Sequence, residues 1–227
     1  MELDPAGLHV GRVWRPGIGP ALVQVLAGQV IDRTTRAAPT MRDLLELDDP
    51  AAHLAAARGE PVCSLADLLA ASTPDAGPDD LRLLAPCDLQ AVKAAGVTFA
   101  RSMVERVIEE RAAGDPSKAA GIRARVAGII GASLRDLVPG SDQAAEVKRL
   151  LIAEGLWSQY LEVGIGPDAE VFTKAQPMAA VGHGAAVGLH PVSRWNNPEP
   201  ELVLAVDSRG RIRGVTLGND VNLRDVE

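Results

Sequence analysis

Apolar positions recur along this chain with two different spacings, and the places where the spacing changes divide it into regions. In the first third, short apolar runs around Leu8–Trp14 and Ala21–Ala27 predict β-strands. Leucines and alanines at steps of three and four predict helical stretches near Met41–Ala57 and Ser64–Ala71, with Pro, Gly and Asp between them. This part reads as a small α+β module, residues 1–83. Thr73–Asp80, which holds two prolines and a glycine, is the predicted boundary, and Pro86 could serve equally well.

From about Asp88 to Ala113 the spacing is helical, with Phe99, Met103, Val104, Val107 and Ile108 on one side and Ser102, Glu105, Arg106 and Glu109 on the other. A second, alanine-rich helical region follows Gly114-Asp115-Pro116 and runs to about Leu137. A third covers roughly Gln143–Glu154. Beyond Gly164 the runs become short or alternating: Val171–Thr173, Ala180-Val181, Val187–Leu189, Leu202–Val206 and Ile212–Leu217. The expected class is therefore α+β, with the N-terminal module followed by a mostly-β domain over residues 84–227.

Composition narrows the function. The 227 residues are 47% apolar, enough for a real core, and carry a net charge of −7. No Lys/Arg run suggests a phosphate-tracking groove, so nucleic acid is not an expected partner. No stretch approaches ~18 uninterrupted apolar residues, and the acidic N-terminus lacks the pattern of a signal peptide. Neither a membrane nor secretion is expected; the location that follows is cytoplasmic. The two cysteines, Cys63 and Cys87, are not spaced as a metal knuckle or redox pair and read as small buried hydrophobes.

The sharpest local signal lies near the C-terminus. Leu202–Val206, a turn at Asp207-Ser-Arg-Gly210 and Arg211–Leu217 read as a hairpin. Alternation along a strand puts Glu199 and Glu201 on one face. If Asp207 pairs with Gly210, Glu201 falls opposite about Thr216 and Glu199 opposite about Gly218, within two residues, and Asp220 emerges beside Glu199. Three carboxylates at one hairpin end repel one another unless water screens them, protons neutralise them or a cation sits between them. An acidic, solvated hairpin end and a hard-cation site for Mg²⁺, Mn²⁺ or Ca²⁺ are both open on this spacing. Pro198 and Pro200, which lack an N–H, belong where the chain enters the sheet.

The string Asn196-Asn-Pro-Glu-Pro-Glu-Leu-Val-Leu-Ala-Val206 with Gly214-Val-Thr-Leu-Gly-Asn-Asp-Val-Asn-Leu-Arg-Asp225 resembles the signature of the fumarylacetoacetate-hydrolase-like superfamily. Leu84-Ala-Pro86, Gly96–Phe99 and Glu170-Val-Phe-Thr-Lys174 extend the likeness in the right order from about Leu84 to Glu227. The resemblance implies a β-roll domain, Glu199, Glu201 and Asp220 as ligands of Mg²⁺ (or Mn²⁺ or Ca²⁺), a small 2-oxo acid substrate and a homodimer. Many hydrolases of the superfamily activate water with a His–Glu pair; aligned here, the Glu falls on Glu105 and the His position holds Ser102.

Without that histidine, hydrolysis of a carbon–carbon bond is disfavoured against elimination of water, which needs only enolate formation and a departing hydroxyl. The most similar branch is the 2-keto-3-deoxypentonate dehydratases, which give 2,5-dioxopentanoate. The resemblance then implies Glu170 and Glu105 as base or acid, Ser102 on the departing hydroxyl or a water, and Lys174 toward the substrate anion. A hydrolase or decarboxylase of an acylpyruvate-type acid, and a catalytically silent metal-binding fragment, are the alternatives. Superfamily members usually continue well past the Asn-Asp-Val segment, so the chain reads as truncated at its C-terminus.

Among the remaining residues, Gly182-His-Gly184 could approach an anion but lacks the following helix that would make it specific. His183 and His190 have no third nitrogen ligand for zinc, His9 and His53 read as surface or packing residues, and Trp14, Trp157 and Trp195 read as packing residues.

Overall fold

The computed structural model describes residues 3–4, 6–96, 105, 107–108, 111–113, 115–130, 137–168 and 170–226. By contact the chain divides into two units, residues 1–91 with 175–227, and residues 92–174. The predicted boundary segment Thr73–Asp80 lies within the first unit, between a helix and the strand that follows it.

In the first unit, β1 (His9–Arg15), β2 (Gly19–Leu26), β3 (Gln29–Asp32), β4 (Glu60–Ser64) and β5 (Arg82–Leu84) form an antiparallel sheet of order β4-β3-β2-β1-β5. Alternation along β2 sends Leu22 to one face and Ala21 and Val23 to the other. Helices α1 (Met41–Glu46) and α2 (Pro50–Ala56) cover the first face, packing Met41, Leu44, Leu45 and Leu54 on Leu22. Helix α3 (Leu65–Ala71) covers the second, with Leu68 against Val13, Ala21, Val23 and Val30. The helical stretch expected over Met41–Ala57 is two helices, because Asp49 caps a new one and Pro50 fits its first position. The strands β3, β4 and β5 were not foreseen; each is short and only partly apolar.

A buried ion pair ties this unit together. The Arg12 guanidinium meets Asp88 at 3.2 Å and donates to the carbonyls of Ala85 and Cys87. The Asp88 carboxylate accepts from the backbone N–H groups of Met41 and Arg42, so it also satisfies the first turn of α1, where Thr40 accepts from Asp43.

The second unit contains β6 (Val92–Ala95), α4 (Pro116–Ile130), α5 (Asp142–Ala153), α6 (Gln159–Ile165) and all but the last residue of β7 (Val171–Ala175). Val107, Val126, Ala144, Val147, Leu151, Leu161 and Ile165 form its core, with Trp157 packed against it. Strands β6 and β7 pair with each other. The helix expected from Asp88 is corrected: Asp88–Gly96 is not helical, and Val92–Ala95 is a strand. Val107 and Ile108, from the apolar side of that stretch, are buried, whereas Phe99, Met103, Val104 and the catalytic candidate Ser102 lie outside the described residues. Helix α6 was not foreseen.

The C-terminal part of the first unit holds β8 (Asn196–Asn197), β9 (Pro200–Val206), β10 (Ile212–Asn219) and β11 (Asn222–Leu223). The apolar runs at Ala180-Val181 and Val187–Leu189 are loop rather than strand. Mixed helices and antiparallel sheets make the chain α+β, as expected.

Candidate metal centre

The hairpin forms where alternation predicts it, with one change of register. Asp207 accepts at its carbonyl from Gly210 N–H, and Asp207 N–H donates to Arg211. A bulge between Ile212 and Gly214 then inserts one more residue. Together these shift the pairing by two residues from the tight turn assumed above. Glu201 lies opposite Gly218, and Glu199 and Asp220 are directly opposite, exchanging backbone hydrogen bonds of 3.2 and 2.8 Å. The same register continues into β8 and β11, where Asn197 faces Asn222.

One ribbon thus runs from Asn196–Val206 against Ile212–Leu223. Because directly opposite residues of an antiparallel pair share a face, Asn197, Glu199, Glu201, Asp220 and Asn222 all belong to one face. Glu199, Asp220 and Asn197 are half-buried, Glu201 is exposed and Asn222 is buried. The other face carries Leu202, Leu204, Val206, Ile212, Val215 and Leu217 in three cross-strand pairs, all exposed.

The ribbon is anchored at both ends. At the turn, Glu46 accepts from the Ser208 hydroxyl and N–H, both at 2.7 Å, Arg209 pairs with Asp48 at 2.6 Å, and the Arg213 guanidinium donates to the Leu47 carbonyl. Ala205 packs on the cluster beneath α1. Burial pushes the Asp207 carboxyl up, but N–H groups of Arg211 and Arg209 and the Arg211 guanidinium outweigh it and hold the carboxyl at about 2. At the far end, Asp225 accepts from Arg194 N–H and the Ser193 hydroxyl, both at 2.6 Å, which keeps its carboxyl below the usual range. Arg224 N–H donates to the Trp195 carbonyl.

Glu199 is engaged within this frame. Its Oε1 accepts from the Arg224 guanidinium at 3.0 Å and lies 3.5 Å from the Asn197 amide nitrogen. Among the described residues no three Asp, Glu, His or Cys side chains converge as a ready ligand set. Joint coordination by Glu199, Glu201 and Asp220 therefore requires their side chains to turn inward from a backbone that already places them on one face. The donor chemistry suits a hard cation: carboxylate and amide oxygens without thiolate or imidazole. A buried amide oxygen on the same face, Asn222 Oδ1, has no hydrogen-bond partner among the described residues, as expected of an atom whose partner arrives with a ligand.

The other candidate residues belong to the second unit. Glu170 directly precedes β7, and its backbone carbonyl accepts from Gly96 N–H at 3.0 Å. A Cβ at Gly96 would meet the Val163 side chain and the Glu170 carboxylate, so a larger residue there would need those side chains to shift. Lys174 lies on β7 with its ammonium 6.0 Å from the Phe172 ring centre. Glu105 makes an ion pair with Arg123 at 2.6 Å. The Gly182-His-Gly184 loop has a structural explanation that the sequence left open. A Cβ on Gly182 would strike the Leu83 carbonyl, and one on Gly184, at φ 84°, would strike the Ser72 carbonyl. Both glycines let the loop backbone lie against β5 and the end of α3, and His183 between them is exposed. Asn222, Arg224 and Asp225 stand in the motif without an assigned role; the signal for Asn222 was strand alternation continued two residues past Asp220, whereas Arg224 and Asp225 lie in the turn after β11 and carried none.

No family model matches the chain. It is 48% identical over 58 residues to 2-dehydro-3-deoxy-D-arabinonate dehydratase of Saccharolobus solfataricus, covering 26% of this chain and 20% of that protein. It is 44% identical over 68 residues to a probable 2-keto-3-deoxyxylonate dehydratase of Haloferax volcanii, covering 30% and 23%. These matches span under a quarter of each curated relative. A solved 2-keto-3-deoxy-D-arabinonate dehydratase complexed with magnesium and 2,5-dioxopentanoate superposes with a TM-score of 0.55 at 23% identity, covering 96% of this chain and 57% of that one. Its apo form gives 0.56 at 21% identity with the same coverage. The chain therefore shares the fold of the 2-keto-3-deoxy-D-arabinonate dehydratases, the branch of the fumarylacetoacetate-hydrolase-like superfamily that its sequence motifs resemble.

Proposed function

We propose that this chain carries the metal-binding part of a hydro-lyase that removes water from a 2-keto-3-deoxy sugar acid to give 2,5-dioxopentanoate. The observation that supports it most is the ribbon: Glu199, Glu201 and Asp220 share one face within a fold whose solved relative holds magnesium and 2,5-dioxopentanoate. On this reading Glu199, Glu201 and Asp220 hold Mg²⁺, with Mn²⁺ or Ca²⁺ as chemical substitutes. A bound cation would polarise the 2-oxo group and so acidify the C3 proton.

The protein's own groups supply the remainder. Glu170 or Glu105 takes the C3 proton as the C4 hydroxyl departs with a proton as water, and the double bond then shifts so that C5 becomes the aldehyde. Ser102 hydrogen-bonds the departing hydroxyl, and Lys174 pairs with the substrate carboxylate. The same reading includes a cytoplasmic location, a homodimer and the β-roll of which the hairpin is a part. Among the described residues no helix is long and apolar enough to cross a membrane.

The test is Mg²⁺-dependent formation of 2,5-dioxopentanoate from 2-keto-3-deoxy-arabinonate, with Glu201→Ala and Glu170→Gln beside the parent chain. Turnover lost in Glu201→Ala supports the metal reading, and full turnover in Glu170→Gln removes that residue as base. Pyruvate released from an acylpyruvate, without dehydration of the sugar acid, would replace the lyase by a hydrolase.

A further inference from the structure

Asn222 is 5% exposed, and its Oδ1 is among the few buried side-chain polar atoms that lack a hydrogen-bond partner among the described residues. Buried acceptors are almost always satisfied, so an orphan calls for a physical reason. Its position supplies one. Asn222 is two residues beyond Asp220 on an extended strand, and Asn197, opposite it, is two residues before Glu199. The register therefore puts Asn222 at one end of the face that carries the three carboxylates.

The three carboxylates of that face cannot satisfy it. Ionised carboxylates accept and cannot donate. The Asn197 amide nitrogen lies 3.5 Å from Glu199 Oε1, and the Arg224 guanidinium donates to that same oxygen. Both of those contacts go to Glu199 rather than to Asn222 Oδ1, and a cation would bring further donors with it, since Mg²⁺ and Mn²⁺ keep several of their waters when bound through a few carboxylates. Such waters are polarised and form strong hydrogen bonds to neutral oxygen acceptors.

Building on the metal reading above, we propose that Asn222 is a positioning residue of the metal centre, whose Oδ1 accepts a hydrogen bond from a water or substrate hydroxyl held by the cation. It acts through that bound oxygen and is not itself a ligand. The class of ligand is a hydrated divalent cation, or the same cation carrying a hydroxy acid in place of water.

The experiment is Mn²⁺ binding to the whole chain by electron paramagnetic resonance, with water-proton relaxation read on the bound ion, for the parent, Asn222→Leu, Asn222→Asp and Glu201→Ala. Asn222→Leu keeps the volume and removes the acceptor; the expected result is Mn²⁺ affinity lower by about tenfold, in the range typical of groups behind the ligands, with an altered relaxivity and an unchanged melting temperature. Asn222→Asp, which keeps an acceptor, restores the affinity. Should the leucine variant fail to fold, Asn222→Ala carries the same expectation. Parent-like affinity and relaxivity in a folded Asn222→Leu or Asn222→Ala, with binding lost in Glu201→Ala, would overturn this inference and leave the metal reading intact. Parent-like binding by Glu201→Ala, or no binding by the parent chain, would overturn both.

Discussion

At the residue scale Asp207 is tightly held. Its carboxylate gathers the N–H groups of Arg209 and Arg211 and the guanidinium groups of Arg211 and Arg213, at 2.7 to 3.0 Å, which fixes both the turn and the bulge that follows. Held at about 2, against an ordinary value of 3.8, the group has a folded-state pKa below its unfolded one. Its contribution to stability is fully present above pH 3.8 and is lost as pH falls toward 2. Asp207→Asn should be less stable than the parent at neutral pH and should show a shallower fall in stability between pH 4 and pH 2, measured by urea denaturation across that window. A parent-like slope would mean that Asp207 is not the group that titrates. The sequence showed the turn but not this network, because Arg213 comes within reach only once the bulge has formed.

At the scale of elements, the loop between β7 and β8 depends on two glycines for different reasons from those its motif suggests. Gly184 has a left-handed φ and lies against the Ser72 carbonyl, whereas nothing lies within 4 Å of where a Cβ on Gly188 would stand. Gly184→Ala should cost about 2 kcal/mol from backbone strain, before the added overlap with Ser72. Gly188→Ala should change thermal stability little. Equal melting temperatures for the two variants would show that the loop does not need its close approach to α3. The strands and helices of this unit were legible where periodicity was strong, as in β1, β2, α3 and the β9–β10 hairpin. The strands β3, β4 and β5 were not, since four residues or so of mixed polarity carry little periodicity and are made strands by the neighbours they pair with.

At the scale of the whole molecule, the outer face of the ribbon is the conspicuous feature. Leu202 is 67% exposed and Leu217 82%, and with Leu204, Val206, Ile212 and Val215 they make a contiguous aliphatic surface without a polar residue. A patch of this kind on a chain in water favours association. The chain by itself should bind a hydrophobic dye and self-associate in light scattering, and Leu204→Lys with Leu217→Glu should reduce both severalfold without lowering the melting temperature. A monodisperse parent that leaves the dye dark would contradict this.

The sequence by itself determined what is local. Alternation from Asn196 to Asp220 put Glu199 and Glu201 on one face and brought Asp220 to the same end, because a strand's period of two follows from backbone geometry alone. The motif around those residues pointed to the branch whose fold the chain shares. Only the tertiary structure decided the register, since the turn and the bulge each displace the pairing and neither is written in hydrophobicity. It alone showed that Arg224 engages Glu199, that the buried Asn222 Oδ1 has no partner among the described residues and that Arg12 and Asp88 join β1 to α1. Such contacts form between residues distant in sequence or across strands, and they exist only once packing has brought the segments together.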